Sequence, residues 1–327
     1  MSRFDEMRIF SGTGNPILAN AISSYTGVRH GELTIRNFSN ENIFVKIEES
    51  VREQDVFVVQ SFGSPLNHLI MEMLIMLDAF KRASAGRITA VLPYFAYSRT
   101  DKKDQPRVPI TARLLADLIV AAGAERVLTL DLHAGQIQGF FSIPVDEMSA
   151  VHLLINEVRS WGLENGIVVS PGLGFAKRAR NFAEALNVPL AIVEKRRVNH
   201  ADGTVSGLAI LGDVTGRDCI IVDDEIATAH TMTRVAELLI ERGAQSVRAA
   251  AIHPIFTEGA VERLKNSPIS QIVITDTLTI APENRWPGLT VKSVAPLLGE
   301  VIQRIHTGIS VGAMFPSGQN QPQIGRW

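Results

Sequence analysis

Cys219-Ile220-Ile221-Val222-Asp223-Asp224-Glu225-Ile226-Ala227-Thr228-Ala229-His230-Thr231 is the stretch on which the fold is decided. Four apolar residues in a row suit a strand buried on both faces, as parallel sheets require. The run ends in acids, passes through a turn of small residues, and leads into a helix predicted over residues 231–242. In open α/β sheets, ligands gather beyond the carboxyl ends of the strands. Backbone N–H groups at such a turn can cradle a phosphate, with Thr228 and Thr231 adding hydroxyl donors. Ionised carboxylates only accept hydrogen bonds, which suits Asp223 and Asp224 to the vicinal hydroxyls of a ribose. A capped helix after an acidic strand end fits the same letters equally well.

Outward from this point, short β-branched runs alternate with longer helix-period segments, the pattern of parallel α/β sheets. Strands are predicted at 56–60, 88–92, 127–132, 167–170, 190–193, 218–222, 247–252 and 271–275. Helices are predicted near 16–25, 65–82, 110–122, 176–186, 231–242, 259–265 and 295–306. A weak repeat runs through the chain: Gly123-Ala124 leads through a strand to His133, and Gly243-Ala244 leads through another to His253, with the same spacing of ten. Each glycine reads as a helix C-cap before a buried strand. Two similar halves divided near residue 150 explain the repeat, as does chance similarity of βα units. The polar residues 318–327, with Gly and Pro, read as a loose tail.

The 327 residues suffice for two domains, and 46% hydrophobic against 20% charged residues supports a large core. A net charge of -2 offers no general attraction to nucleic acid or to an anionic membrane, so phosphate binding must come from local sites. Cys219 is the sole cysteine, which excludes an intramolecular disulfide, a zinc cluster and a CxxC pair. Arg3, Asp5, Glu6 and Arg8 argue against a secretory apolar segment at the start. Glu72 and Asp78 interrupt the most apolar helix, so no bilayer span is expected and the chain reads as cytoplasmic.

Three further constellations carry candidate chemistry. Asp131-Leu132-His133-Ala134-Gly135 places a histidine at a strand end before a glycine turn, where it serves as a ligand or as an ordinary satisfied side chain. Pro93-Tyr94-Phe95-Ala96-Tyr97-Ser98-Arg99-Thr100-Asp101-Lys102-Lys103-Asp104 could present Arg99 and the lysines to a polyphosphate, with aromatics walling a base; a solvated charge run reads alike. Glu194-Lys195-Arg196-Arg197 brings three cations after a strand, either a closing loop that neutralises phosphate charge or an exposed basic hairpin.

Taken together, these segments resemble the ribose-phosphate pyrophosphokinases almost from end to end. The resemblance runs through Ile9-Phe10-Ser11-Gly12, Phe38-Ser39-Asn40, Glu49-Ser50-Val51-Arg52, residues 93–99, residues 131–141, residues 195–197 and Asp223-Asp224. It implies an α/β fold of two phosphoribosyltransferase-type domains, an ATP side over 1–150 and a ribose 5-phosphate side over 151–317, with the final segment returning to the first domain. It implies transfer of diphosphate from Mg-ATP to the anomeric hydroxyl of ribose 5-phosphate. Phe38, Asn40, Asn42, Arg99, Thr100, Asp104 and His133 would hold ATP, His133 also standing near Mg²⁺. Lys195 and Arg197 would be the catalytic cations. Asp223, Asp224, Ala227, Thr228, Ala229, His230 and Thr231 would hold ribose 5-phosphate. Ser50, Arg52, Arg107, Asp146 and Ser310 would form a regulatory site for phosphate and ADP between subunits of a dimer-based hexamer.

The chain departs from that family's pattern at several of these positions. Gly172 stands where a metal-side aspartate is usual, Ala227 where an acid is usual, and His230 where a glycine is usual. Asn42 replaces a glutamate and Thr100 a glutamine. Such changes fit an alternative expectation: a catalytically weakened paralogue serving as a regulatory or structural subunit.

Overall fold

The computed structural model describes residues 6–200 and 203–314, without the side chains of residues 195–206. The expected loose tail, with Phe315 before it, lies outside the described residues. In chain order the elements of the first half are β1 (Met7–Ser11), α1 (Pro16–Thr26), β2 (Leu33–Asn37), β3 (Ile43–Ile47), β4 (Asp55–Val59), α2 (Leu66–Arg82), β5 (Arg87–Leu92), α3 (Thr111–Ala122), β6 (Arg126–Leu130) and β7 (Val145–Met148). The second half continues with α4 (Val151–Arg159), β8 (Gly166–Ser170), α5 (Ala176–Leu186), β9 (Leu190–His200), β10 (Gly203–Leu211), β11 (Asp218–Ile226) and α6 (His230–Glu241). It ends with β12 (Ser246–Pro254), α7 (Ala260–Lys265), β13 (Ile269–Thr275), β14 (Leu289–Lys292) and α8 (Ala295–Thr307).

Two sheets flanked by helices result, so the fold is α/β. The first has the order β1-β4-β5-β6-β7 and is parallel throughout. The second has the order β10-β9-β8-β11-β12-β13-β14, parallel except where β10 turns back on β9. β4 and β8 are buried along their whole length because helices cover both faces. β2 and β3 form a separate antiparallel hairpin against α2.

Helix boundaries follow local chemistry. The Asn15 side chain accepts from Leu18 N at 3.2 Å, Pro16 opens α1, and Gly27 closes it in the left-handed conformation. α8 repeats the ending with Gly308. Its apolar face packs on α1, so that Leu298, Val301 and Ile302 join Ile9, Leu18 and Phe57 in one core that continues to Val168 and Ile220 of the second sheet. Each fully buried aliphatic side chain there is worth roughly 1.5–3 kcal/mol. A polar clasp reinforces the contact: buried Asp55 accepts from Arg87 Nε at 2.8 Å and pairs with His306 Nδ1 at 2.9 Å, while Arg87 also donates to Ile305 O.

Of the two readings for the segment at Lys195 and Arg197, a closing loop or a basic hairpin, the backbone forms the second, a long two-stranded antiparallel arm. The backbone of Lys195 pairs with Leu208, and that of Arg197 with Ser206. Their side chains lie outside the described residues.

Candidate active site

The site lies where the two sheets meet. β6 ends at Leu130, and Asp131 then adopts a left-handed backbone (φ 39°) that turns the chain sharply. Its carboxylate is tied to Ser149 Oγ and Ala150 N, each at 2.7 Å. Leu132 N donates to Glu147 Oε1 at 2.9 Å, and Leu132 O accepts from Arg178 at 2.5 Å. Both backbone groups of Leu132 are therefore held, which steadies the turn that carries His133.

His133 Nδ1 meets Asp224 Oδ2 at 2.5 Å across the junction, and Arg178 approaches the same oxygen at 4.0 Å. Arg99 pairs with Glu225, and the Tyr94 hydroxyl lies 3.4 Å from the other Glu225 oxygen. His253, at the matching position of the second half, is buried with Nε2 3.3 Å from the Asp131 carbonyl and Nδ1 3.0 Å from Thr277 Oγ1. A carbonyl only accepts, so Nε2 carries the hydrogen. The two histidines of the repeat thus face the same junction, one in the cleft and one in its floor.

Electrostatics separates the two adjacent aspartates. Burial and the charge of Asp224 raise Asp223 well above the usual carboxylate range. Burial also opposes ionisation of Asp224, yet the hydrogen bond from His133 brings it down to about 2. The same bond raises His133, against the effect of burial. Burial lifts Asp131 to about 6 and Glu147 to about 7, the latter aided by the charge of Asp131. One ionised acid thus sits among acids that hold protons more readily.

Beyond β11 the turn opens toward solvent. Ala227 O accepts from Thr257 N at 3.0 Å and Thr228 O from Arg263 Nε at 3.0 Å, so these carbonyls are drawn away toward the loop after β12. Ala229 is left-handed (φ 64°), and α6 starts at His230, one residue before its predicted start. The first N–H groups of α6 have no intrahelical partner, the arrangement that favours an anion. His230 is exposed and borders a cavity of about 260 Å³ with Thr231 and Arg234.

A second cavity of about 480 Å³ opens beside His133, lined also by Lys102, Gln136, Lys177 and Arg178. Among the described residues no group of three His, Cys, Asp or Glu side chains could hold a metal ion. The donor present, an imidazole oriented by Asp224, suits a cation that arrives with phosphate and water ligands of its own.

The fold therefore brings together Arg99, His133, Asp223, Asp224 and the 227–231 turn. Thr100 lies beside them on the Arg99 loop, its hydroxyl donating to Tyr97 O at 2.7 Å, and Asp104 is exposed further along. Phe38, Asn40 and Asn42 sit at the tip of the β2–β3 hairpin. Their contacts stay local: Phe38 meets Phe44 edge-on at 5.9 Å, and Asn42 N donates to Asn40. Ser50 and Arg52 lie between β3 and β4, Arg107 before α3 and Ser310 after α8; Asp146 pairs with Arg126 at 2.5 Å, and Ser310 O accepts from Arg304. Sequence reasoning missed Arg178, Glu147 and Glu225. Arg178 alone carried a signal, as a cation in the first turn of a helix that follows a strand end.

A diacid near the end of β11, a phosphate-type turn after it and a second sheet lending a histidine and an arginine define a phosphate-handling transferase of the α/β class. Residues 7–123 match the N-terminal domain of ribose phosphate pyrophosphokinase, and residues 198–316 match the phosphoribosyl synthetase-associated domain. A ribose-phosphate pyrophosphokinase of Caldanaerobacter subterraneus subsp. tengcongensis is 48% identical over 317 residues, covering 96% of this chain and 100% of that protein. One from Brucella melitensis biotype 1 is 45% identical over 311 residues, covering 94% and 100%. The crystal structure of phosphoribosylpyrophosphate synthetase from Mycobacterium smegmatis is similar with a TM-score of 0.88 at 42% identity, over 93% of this chain and 100% of that one. The chain belongs to the ribose-phosphate pyrophosphokinase family. Among the described residues no helix is long and apolar enough to cross a membrane.

Proposed function

We propose that this protein transfers diphosphate from Mg-ATP to ribose 5-phosphate, giving phosphoribosyl pyrophosphate and AMP. The observation that carries the reading is the junction itself, where the histidine and arginine of one sheet meet the diacid and phosphate turn of the other. In the reaction the C1 hydroxyl oxygen of the sugar bonds to the β-phosphorus of ATP. The bond from that phosphorus to the α,β-bridging oxygen breaks, and AMP leaves with the oxygen.

Asp224, kept ionised by His133, accepts from a ribose hydroxyl, and Asp223 takes the neighbouring one. The 227–231 turn receives the 5-phosphate on the first N–H groups of α6. Arg99, with Thr100 and Asp104 on its loop, receives the nucleotide, and Phe38, Asn40 and Asn42 complete that pocket from the exposed hairpin tip. His133 Nε2 is the protein donor that would face Mg²⁺. The chemistry a nucleotide-bound Mg²⁺ supplies is neutralisation of triphosphate charge. Lys195 and Arg197 act on the transferring group from β9.

The division into a nucleotide half (1–150) and a sugar-phosphate half (151–317) belongs to this reading, as does a cytoplasmic location. A dimer-based hexamer is also part of it, supported by exposed Met71 on α2 and Leu114 and Leu118 on α3. Phosphate and ADP would act at Ser50, Arg52, Arg107, Asp146 and Ser310, brought together only between subunits. The full-length likeness to pyrophosphokinases favours an enzyme over a regulatory subunit. A coupled assay with ATP, ribose 5-phosphate and Mg²⁺ should release AMP in equal amount to phosphoribosyl pyrophosphate; folded protein that releases none would overturn the reading.

A further inference from the structure

We propose that Glu225 is a positioning residue for the nucleotide, anchoring Arg99 and thereby setting the affinity for ATP. This rests on the reading of Arg99 as a nucleotide contact. Glu225 belongs to β11 of the second sheet, whereas Arg99 sits on the loop after β5 of the first. They form a close ion pair through Arg99 Nε and Glu225 Oε1, in which the glutamate side chain is 4% exposed and the arginine 57%.

The contact is one-sided. The carboxylate lies under protein, while more than half of the arginine side chain is exposed. A guanidinium has five N–H donors and a planar face, so an arginine anchored by one carboxylate can still meet phosphate or base. The other carboxylate oxygen lies 3.4 Å from the Tyr94 hydroxyl, which donates to it. Both carboxylate oxygens are thus directed, and neither faces Asp224 or His133 as a hydrogen-bond partner.

A buried carboxylate is a burden on the fold. Burial raises the pKa of Glu225, and the Arg99 charge only partly opposes this. What the group supplies in return is placement. An arginine on a loop otherwise samples many rotamers and loses them on binding; anchoring it beforehand removes that loss from the binding step.

The test uses the full chain carrying Glu225→Gln or Glu225→Leu, with steady-state kinetics and thermal unfolding. The KM for ATP should rise roughly tenfold in the leucine variant and less in the isosteric glutamine variant. The KM for ribose 5-phosphate should stay within twofold, and the Tm should not fall. Arg99→Ala and the double variant Arg99→Ala/Glu225→Leu should share one KM for ATP, because the anchor has nothing left to hold. An unchanged KM for ATP in the leucine variant would overturn the proposal, as would an equal rise for both substrates with a lower Tm. Wild-type protein that forms no AMP would instead overturn the function. Calorimetric binding of a non-hydrolysable ATP analogue then still reads the Glu225 effect, with the same loss of affinity expected.

Discussion

His133 and Asp224 are bonded at 2.5 Å although 91 positions separate them, one at the end of a strand of the first sheet and the other within β11 of the second. On the proposed reaction the bond would join its two halves, with the imidazole beside the nucleotide and the carboxylate at the sugar. His133→Ala should lower the rate of AMP formation by on the order of a hundredfold. Circular dichroism should be unchanged, since Arg178 still faces Asp224 at 4.0 Å. A loss below tenfold would remove the imidazole from the chemistry.

Gly172 follows β8 in extended backbone, and a Cβ placed there meets nothing within 4 Å. An acid is therefore sterically free to occupy the position. Gly172→Asp should lower the Mg²⁺ concentration giving half-maximal rate by roughly tenfold, at the low end of what a supporting group contributes to metal affinity. An unchanged Mg²⁺ titration would show that a carboxylate at this point does not reach the nucleotide's cation.

His230 opens α6 with its imidazole exposed, bordering the cavity shared with Arg234. It sits at the edge of the turn proposed to take the phosphate, with Thr228 and Thr231 exposed beside it. Its replacement by glycine should change ribose 5-phosphate affinity by less than tenfold, a difference of ~1.4 kcal/mol. Calorimetry giving a larger gain would mean that the ring obstructs the turn; a larger loss would mean that it binds the phosphate.

Burial holds His253 at about 4, below the 6.5 of a free imidazole. The unfolded chain takes a proton that the native protein refuses. The histidine's contribution is thus complete above pH ~6.5 and is lost as pH falls toward ~4. Asp131 and Glu147, raised to about 6 and about 7, run the opposite way over this window. The effect is therefore read by difference. His253→Gln should gain on the wild type by about 2 kcal/mol between pH 7 and pH 5 in urea denaturation. A constant gap between the two curves would contradict this.

Asp55 is fully buried between Arg87 and His306. Removing one partner of such a cluster leaves the others uncompensated, so Asp55→Asn should destabilise by roughly 3–5 kcal/mol. AMP formed per folded molecule should be retained at low temperature, because the clasp lies at α8 and not at the cleft.

Much of this architecture was legible because burial on both faces writes a strand as a continuous apolar run. β4 (Asp-Val-Phe-Val-Val) and the Cys-Ile-Ile-Val start of β11 show it plainly. The edge strands β7 (Val-Asp-Glu-Met) and β14 (Leu-Thr-Val-Lys) are short and half polar, and nothing in their letters separates them from loops. The diacid was readable as chemistry, although β11 runs on to Ile226 instead of ending before Asp223. Glu225 was not. Three acids in a row do not reveal which one turns inward to meet an arginine on another sheet. The cations at 195–197 read equally as a loop or a basic hairpin, and the antiparallel pairing of β9 with β10 is the hairpin.

The packing of α8 onto α1 has a consequence for molecular traffic. With Leu298, Val301 and Ile302 seated among Ile9, Leu18 and Phe57, swinging the halves apart on a hinge would tear open the shared apolar interior. The two sheets therefore behave as a fixed frame and not as jaws. Substrates must come and go through the open flank of the cleft, and any gating falls to the short segments along its rim.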